Sequence, residues 1–169
     1  MNIEYRKILE KRLKKGIANN KFVIYLQPKF YTKTEKLAGA EALVRWIHPL
    51  RGMISPGSFI PLFEKNGLIH ILDRFVWNET CEMLKSRIEA GKHVVPVSIN
   101  VSRVEFYNPE LADEIKEIVE SHDLPTDLIK IEITETAYAD NPAQVQQAVK
   151  RLHDYGFLVL MDDFGSGYS

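Results

Sequence analysis

The chain has 169 residues, with 22 lysines and arginines against 23 aspartates and glutamates, so its net charge is −1. Hydrophobic residues make up 45% of the chain and charged residues 27%, which is typical of a globular protein. The length predicts a single domain, and the balanced charge argues against binding to DNA or RNA polymers. No apolar run approaches the roughly 20 residues that cross a bilayer, which argues against membrane insertion.

The cysteine content and the amino-terminal residues bear on the cellular compartment in which the protein is found. Cys81 is the single cysteine, so it cannot form a disulfide within the chain, and its helical surroundings favour a buried hydrophobic role over that of a nucleophile. The first residues are charged and do not resemble a secretory signal. We therefore expect a cytoplasmic location.

The hydrophobic pattern predicts a leading amphipathic helix at residues 5–18, followed by alternating strands and helices. The apolar side of the leading helix should pack on its own domain, although its basic side could also bind an acidic membrane surface. The other predicted elements are strands at 22–27 and 37–44, a helical region at 58–90, a strand at 94–99, a helix at 109–121, a strand at 128–134, a helix at 142–155 and a strand at 157–162.

Helix ends are marked by short local signals. A capping side chain before a proline predicts a helix start, and a glycine after a helical pattern predicts a helix end. The starts are Asn108-Pro109 and Asn141-Pro142, and the ends are Gly91 and Gly156.

Alternation within the strands distinguishes two α/β architectures. In 128–134, Lys130, Glu132 and Thr134 share one face, while three isoleucines occupy the other. An open doubly wound sheet covered on both faces would favour apolar residues on both, whereas a β/α barrel can turn a polar face toward its axis. The pattern favours the barrel.

Oxygen-bearing side chains recur where the predicted strands finish. They are Glu41, Asn100, Glu132, Glu135, Asp162 and Asp163. Each alone could be a solvated rim residue or a helix cap, but the carboxyl ends of parallel strands meet on one face, so together these groups should converge. Such a set of anions needs a cation, and oxygen donors without cysteine or paired histidine favour Mg²⁺, Mn²⁺ or Ca²⁺. Two adjacent aspartates can serve two ions, an arrangement suited to hydrolysis of a phosphate ester.

The segment EALVRW at residues 41–46 resembles the EAL family of cyclic di-GMP phosphodiesterases. Further blocks agree with that family in order: Leu26–Pro28, His48–Pro49, Ile54–Pro61, Ser98–Ser102, Glu132–Glu135 and Asp162–Ser169. The resemblance implies a modified (β/α)8 TIM-like barrel that opens one phosphodiester bond of cyclic di-GMP, giving the linear dinucleotide, with Mg²⁺ or Mn²⁺ at a two-metal site.

The same resemblance assigns roles to individual residues. The metal ligands that it implies are Glu41, Asn100, Glu132, Asp162 and Asp163, and Glu135 would steady the loop after Asp163. Gln27 and Arg45 resemble the family's substrate contacts, and the Arg45 fork suits a phosphate oxygen.

The resemblance covers one partial domain, residues 1–169, with a leading helix at 1–20 and a barrel portion at 21–169 that ends in the loop DDFGSGYS. Family barrels continue through further strands that carry a lysine, a glutamate and a glutamine of the site, so we expect a barrel truncated after about five strands and with little activity. Its open edge predicts a homodimer or other assembly. The alternative function is a non-catalytic module that binds cyclic di-GMP or a protein.

Overall fold

The computed structural model of the protein describes residues 3–140 and 142–162. Within them, helices and strands follow one another in a β/α pattern after a leading helix. The helices are α1 (Ile3–Ala18), α2 (Pro56–Lys65), α3 (Ile69–Glu89), α4 (Leu111–Ser121), α5 (Glu135–Asp140) and α6 (Pro142–Asp154). The strands are β1 (Phe22–Phe30), β2 (Leu37–His48), β3 (Gly52–Ile54), β4 (Val97–Asn100), β5 (Ile129–Thr134) and β6 (Leu158–Asp162). Short 3-10 helices lie at Arg103–Tyr107 and Thr126–Leu128.

The six strands form one sheet in the order β1-β2-β4-β5-β6, with β3 paired to β2 outside this path. β2, β4, β5 and β6 are parallel, and β1 is antiparallel to β2. Only residues 31–36 join β1 to β2, which is too short for the crossover that a parallel pair requires. The predicted α/β class is therefore confirmed, with an antiparallel hairpin at its start.

The strand registers confirm the predicted division of the sheet into a polar and an apolar face. Ser98 pairs with Lys130 and Asn100 with Glu132, so these four side chains share one face. The isoleucines of β5 lie on the opposite face and are fully buried under the helices. The polar face is the one that a barrel turns toward its axis.

The leading helix packs as the apolar pattern predicts. Leu13 is buried in the core, and Leu9 and Ile17 pack against it. Burial of these side chains withdraws one side of α1 from water, and the lysines remain on the exposed side.

The helical region predicted at 58–90 is confirmed and consists of two helices, α2 and α3. Gly67 lies between α2 and α3 with a φ of +61°. That left-handed conformation ends α2 and is easy only for glycine, so the chain turns before α3 begins. Leu72 and Val76 of α3 are buried, as is Leu68 directly before the helix.

The predicted start of a helix at Pro109 is wrong, because α4 begins at Leu111. The Asn108 side-chain oxygen accepts a hydrogen bond from the backbone N–H of Glu110 at 3.0 Å. The asparagine therefore stabilises a local turn instead of capping the helix. The other proline start is confirmed at Pro142, while Asn141 lies outside the described residues. Gly91 and Gly156 have φ of +66° and +91°, as expected of glycines that follow helices.

A close backbone approach explains the glycine two residues before Glu41. A Cβ at Gly39 would lie 2.7 Å from the carbonyl oxygen of Pro96. The same oxygen accepts the backbone N–H of Ala40 at 3.0 Å, so it is fixed where β2 meets β4.

We expect Gly39→Ala to lower the free energy of unfolding by about 1–3 kcal/mol, because overpacking forces the two strands apart. Urea denaturation measures the change. Gly57→Ala is the control, since its Cβ would meet only the Ser55 hydroxyl at 3.9 Å. Equal stability of the two variants would contradict the steric explanation.

Among the described strands, β6 pairs with β5 alone, so its outer edge is open. A groove of about 500 Å³ lies beside it, lined by apolar side chains that include Val149, Val159 and Met161. The predicted assembly through this edge stays a prediction. Within the described ranges, no helix has both the length and the apolar character needed to cross a membrane.

Candidate functional site

The polar face of the sheet brings three predicted and two unpredicted polar side chains together. Glu41 comes from β2, Asn100 and Ser98 from β4, Glu132 from β5 and Lys29 from β1. Asn100 donates from Nδ2 to Glu41 Oε1 at 3.0 Å, which joins two of the predicted ligands directly. The predicted convergence of Glu41, Asn100 and Glu132 is thus present in the structure.

Lys29 links the two carboxylates. Its Nζ lies 3.2 Å from Glu41 Oε2, forms an ion pair with Glu132 Oε1, and donates to Ser98 Oγ at 3.3 Å. Burial by itself would lower the pKa of Lys29, but the hydrogen bonds to Glu132 and Glu41 outweigh it and raise that pKa above its ordinary value. The site therefore contains a stable ammonium between two carboxylates.

Glu132 is the most enclosed of these groups, with a side chain only 2% exposed. Its second oxygen, Oε2, is buried and has no hydrogen-bond partner among the described residues. A buried carboxylate oxygen without a partner is costly, and a cation is the kind of group that relieves this cost.

The backbone of Asn100 is hydrogen-bonded to a side chain of helix α3. The indole N–H of Trp77, in α3, donates to the Asn100 carbonyl oxygen at 3.1 Å. Trp77 is fully buried, so it fixes the end of β4 against the core. Because the Asn100 side chain donates through Nδ2 to Glu41, its amide oxygen is the atom left to coordinate a cation.

The turn after β4 is anchored by a second residue of α3. Asp73 Oδ2 accepts the backbone N–H of Ser102 at 3.2 Å. Burial raises the pKa of Asp73 to about 7, although the hydrogen bonds from Ser102 act in the opposite direction. The segment that follows Asn100 thus rests on a carboxyl group whose charge changes near neutral pH.

Asp162 ends β6, and its backbone is in register with Thr134 on the same sheet face. The position of its side chain is not described, and Asp163 and the loop DDFGSGYS beyond Asp162 lie outside the described residues. The predicted roles of both aspartates as ligands stay predictions.

Glu135 does not finish a strand, as the sequence pattern indicated, but begins α5. The Thr134 hydroxyl oxygen accepts the backbone N–H of Ala137 at 3.2 Å, which caps this helix immediately after β5. The predicted support of the loop after Asp163 by Glu135 stays a prediction, since that loop is not among the described residues.

Gln27 and Arg45 lie along the hairpin beside the carboxylates. Gln27 is in register with Glu41, so the two residues share the polar face. The Arg45 guanidinium donates to the Val44 carbonyl at 2.9 Å and lies 5.9 Å from the centre of the Tyr25 ring. The predicted role of both residues as substrate contacts stays a prediction.

Glu41 departs from the prediction that every oxygen donor finishes a strand. It lies in the interior of β2, which continues to His48 as part of the hairpin. β4 pairs only with Ala40 and Glu41 of β2. The parallel sheet therefore ends beside Glu41 even though the strand does not, and this is why Glu41 still reaches Asn100.

Lys29 and Ser98 are the site residues that the sequence reasoning missed. Each lies two positions from a residue that was predicted, Gln27 in the case of Lys29 and Asn100 in the case of Ser98. The period of two along a strand would have placed both on the polar face. Lys29 was overlooked because only oxygen donors were sought.

Cys81 is buried in α3, and its pKa is raised to about 12 by desolvation. The predicted role of a small buried hydrophobe is confirmed, since a thiol in that environment stays protonated.

The donor set fits a hard divalent cation. Two carboxylates and one amide side chain converge, and one carboxylate oxygen is buried without a partner among the described residues. In the described ranges no cluster of three or more histidine, cysteine, aspartate or glutamate side chains is present, and Glu41, Asn100 and Glu132 stay predicted ligands.

The sheet order, the polar face and this donor set define an α/β barrel domain with a site at the edge of its parallel strands. The family model of the EAL domain matches residues 10–169. The chain belongs to the EAL domain family.

Relatives agree with this assignment. The curated protein MucR of Pseudomonas aeruginosa, a bifunctional diguanylate cyclase and cyclic di-GMP phosphodiesterase, is 33% identical over 158 residues, which cover 93% of this chain and 23% of MucR. The solved structure of the MucR phosphodiesterase with c-di-GMP superposes with a TM-score of 0.84 at 31% identity, covering 94% of this chain and 64% of that one. The FimX EAL domain of Pseudomonas aeruginosa, bound to c-di-GMP, has a TM-score of 0.81 at 19% identity over 92% of this chain and 62% of its own, and so supports the fold alone.

The chain therefore spans under a quarter of MucR and about two thirds of its solved phosphodiesterase domain. This agrees with the predicted partial barrel.

Proposed function

We propose that this chain is the metal-binding part of a domain that hydrolyses one phosphodiester bond of cyclic di-GMP to give the linear dinucleotide. The observation that carries the proposal is the convergence of Glu41, Asn100 and Glu132 on the polar face of an EAL-family sheet, with a buried Glu132 oxygen that lacks a partner. The similarity to a phosphodiesterase of known structure supports the same substrate.

Each residue has a proposed task. Glu41, Asn100 and Glu132, with Asp162 and Asp163, would hold two Mg²⁺ or Mn²⁺ ions. When bound, such ions lower the pKa of water and polarise a phosphoryl oxygen. Arg45 would donate two parallel hydrogen bonds to two phosphate oxygens. Gln27 would orient the dinucleotide beside Glu41.

The remaining assignments complete the proposal. Residues 1–169 would form one partial EAL domain, with a leading helix at 1–20 and a barrel portion at 21–169, in the cytoplasm. Glu135 would steady the loop after Asp163. Turnover by the chain itself should be slow, because positioning groups contribute as strongly as metal ligands and the chain covers only 64% of the solved MucR phosphodiesterase.

The test is cyclic di-GMP turnover by the purified chain, stripped of metal and then titrated with Mn²⁺ or Mg²⁺. We expect saturable binding of cyclic di-GMP and slow, metal-dependent formation of the linear dinucleotide, with rates below those of a complete EAL domain. Chromatography separates the cyclic from the linear dinucleotide and so measures the turnover. The variant Glu41→Gln should show no increase in turnover when metal is added.

The outcomes separate the two candidate functions. Binding without turnover at every metal concentration would replace the enzyme by a non-catalytic cyclic di-GMP receptor. Failure to bind the nucleotide at all would overturn both.

A further inference from the structure

Lys29 occupies the place where a cation is needed. Its ammonium contacts one oxygen of Glu41 and one of Glu132, which are the two carboxylates of the described site. These two groups lie on β2 and β5, which are on opposite sides of β4 in the sheet. The lysine side chain itself is 39% exposed, so it can withdraw toward solvent without unfolding β1.

The charges explain why this contact matters. Without a positive group, Glu41 and Glu132 would repel each other, and Glu132 is almost fully buried. With Lys29 between them, the three groups carry a net charge of −1. A divalent ion that binds the same oxygens must first displace the ammonium, and the two cations would otherwise repel each other at short range.

We propose that Lys29 is a resident cation that offsets one of the two carboxylate charges without metal and lowers the affinity of the site for divalent ions. This inference rests on the proposed metal site, but it concerns a residue that donates no oxygen to it. Lys29 is a positioning residue here: it holds the two carboxylates in place until metal arrives, and its release is part of the binding equilibrium.

The test compares Mn²⁺ affinity of the metal-free 169-residue chain and of Lys29→Met, measured by isothermal titration calorimetry and by the free Mn²⁺ signal in electron paramagnetic resonance. We expect at least tenfold tighter binding by the variant. The metal-free variant should melt at a lower temperature than the metal-free wild type. Saturating Mn²⁺ should raise the melting temperature of the variant by more than it raises that of the wild type.

Two matched variants keep the test specific. Lys29→Arg retains the positive charge and should bind Mn²⁺ within a few-fold of the wild type. Lys130→Met removes a lysine from the same sheet face, two residues before Glu132, and should leave the affinity unchanged. If Lys29→Met does not fold, Lys29→Gln removes the charge while keeping a side chain that can donate to Glu132, and the same tenfold gain is expected.

The possible results distinguish the role of Lys29 from the metal site itself. Equal or weaker Mn²⁺ binding by the neutral variants, with normal binding by the wild type, overturns the role of Lys29 alone and leaves the metal site intact. A tenfold gain in Lys130→Met as well would show a general charge effect and overturn the specific role. Absence of Mn²⁺ binding in every variant and in the wild type overturns the proposed metal site, and the inference with it.

Discussion

Replacing Glu132 with glutamine should lower the affinity of the chain for Mn²⁺ by at least about 100-fold, since the loss of an outer hydrogen-bond partner of a ligand already costs 10–100-fold. The substitution keeps the shape of the side chain but removes the charge of the buried carboxylate that has an unpartnered oxygen. The substitution also leaves Glu41 as the single carboxylate that pairs with Lys29, so the ammonium occupies the carboxylate that remains at the site. The combined result should be an almost complete loss of metal binding and of metal-dependent turnover.

Calorimetric titration of the metal-free protein with Mn²⁺ checks this expectation. Glu105→Gln is the matched control, because Glu105 is also nearly fully buried and ion-paired, in its case with Arg74, and lies outside the site. Circular dichroism establishes that both variants are folded at the temperature of the titration. Wild-type affinity in Glu132→Gln would show that the carboxylate is structural and does not bind metal.

Raising the pH from about 4 to about 7 should reduce the part of the stability that depends on Asp73. Burial raises its pKa from 3.8 to about 7 in the folded protein, so the folded state holds a proton that the unfolded state releases between those values. The stabilisation is therefore complete below about pH 4 and is lost as the pH rises through 7. The stabilisation from the bound proton is at most about 4 kcal/mol, because each unit of difference between the folded and unfolded pKa values is worth about 1.4 kcal/mol.

Urea denaturation at several pH values, for the wild type and Asp73→Asn, isolates this contribution. The difference between their unfolding free energies should change by a few kcal/mol across the interval, while the exposed Asp127→Asn control should follow the wild type. Parallel pH profiles for the wild type and Asp73→Asn would show that Asp73 stays charged. The Ser102 N–H favours the charged form of Asp73, so this hydrogen bond beside the site should persist over the same range.

Local signals predicted much of the secondary structure, but not every helix boundary. The glycines at 91 and 156 end helices because only their own backbone conformation is involved. Asn108 has the side chain of a helix cap, but its oxygen is taken by Glu110 in a turn, so α4 starts later. The pattern at 58–90 indicates a helical region, and the left-handed backbone of Gly67 divides that region into two helices.

The predicted strands are present, but several of their ends differ from the prediction. β1 and β2 extend beyond their predicted ends to Phe30 and His48, because each supplies the other's hydrogen bonds in the hairpin. The strand predicted at 94–99 is shorter and begins at Val97, where pairing with β2 and β5 begins. The length of a strand depends on how far a partner strand extends beside it. The pattern within one segment does not predict where its partner strand ends.

The amino-acid sequence by itself determined the family, the division of the sheet into polar and apolar faces, and the convergence of Glu41, Asn100 and Glu132. These follow from residue order and from the period of two along a strand, which are properties of the chain. Only the tertiary structure decided that Glu41 acts from the interior of a long strand, that one Glu132 oxygen is buried without a partner, and that Lys29 lies between the carboxylates. Those features depend on sheet register and burial, which bring together residues as far apart in sequence as 29 and 132.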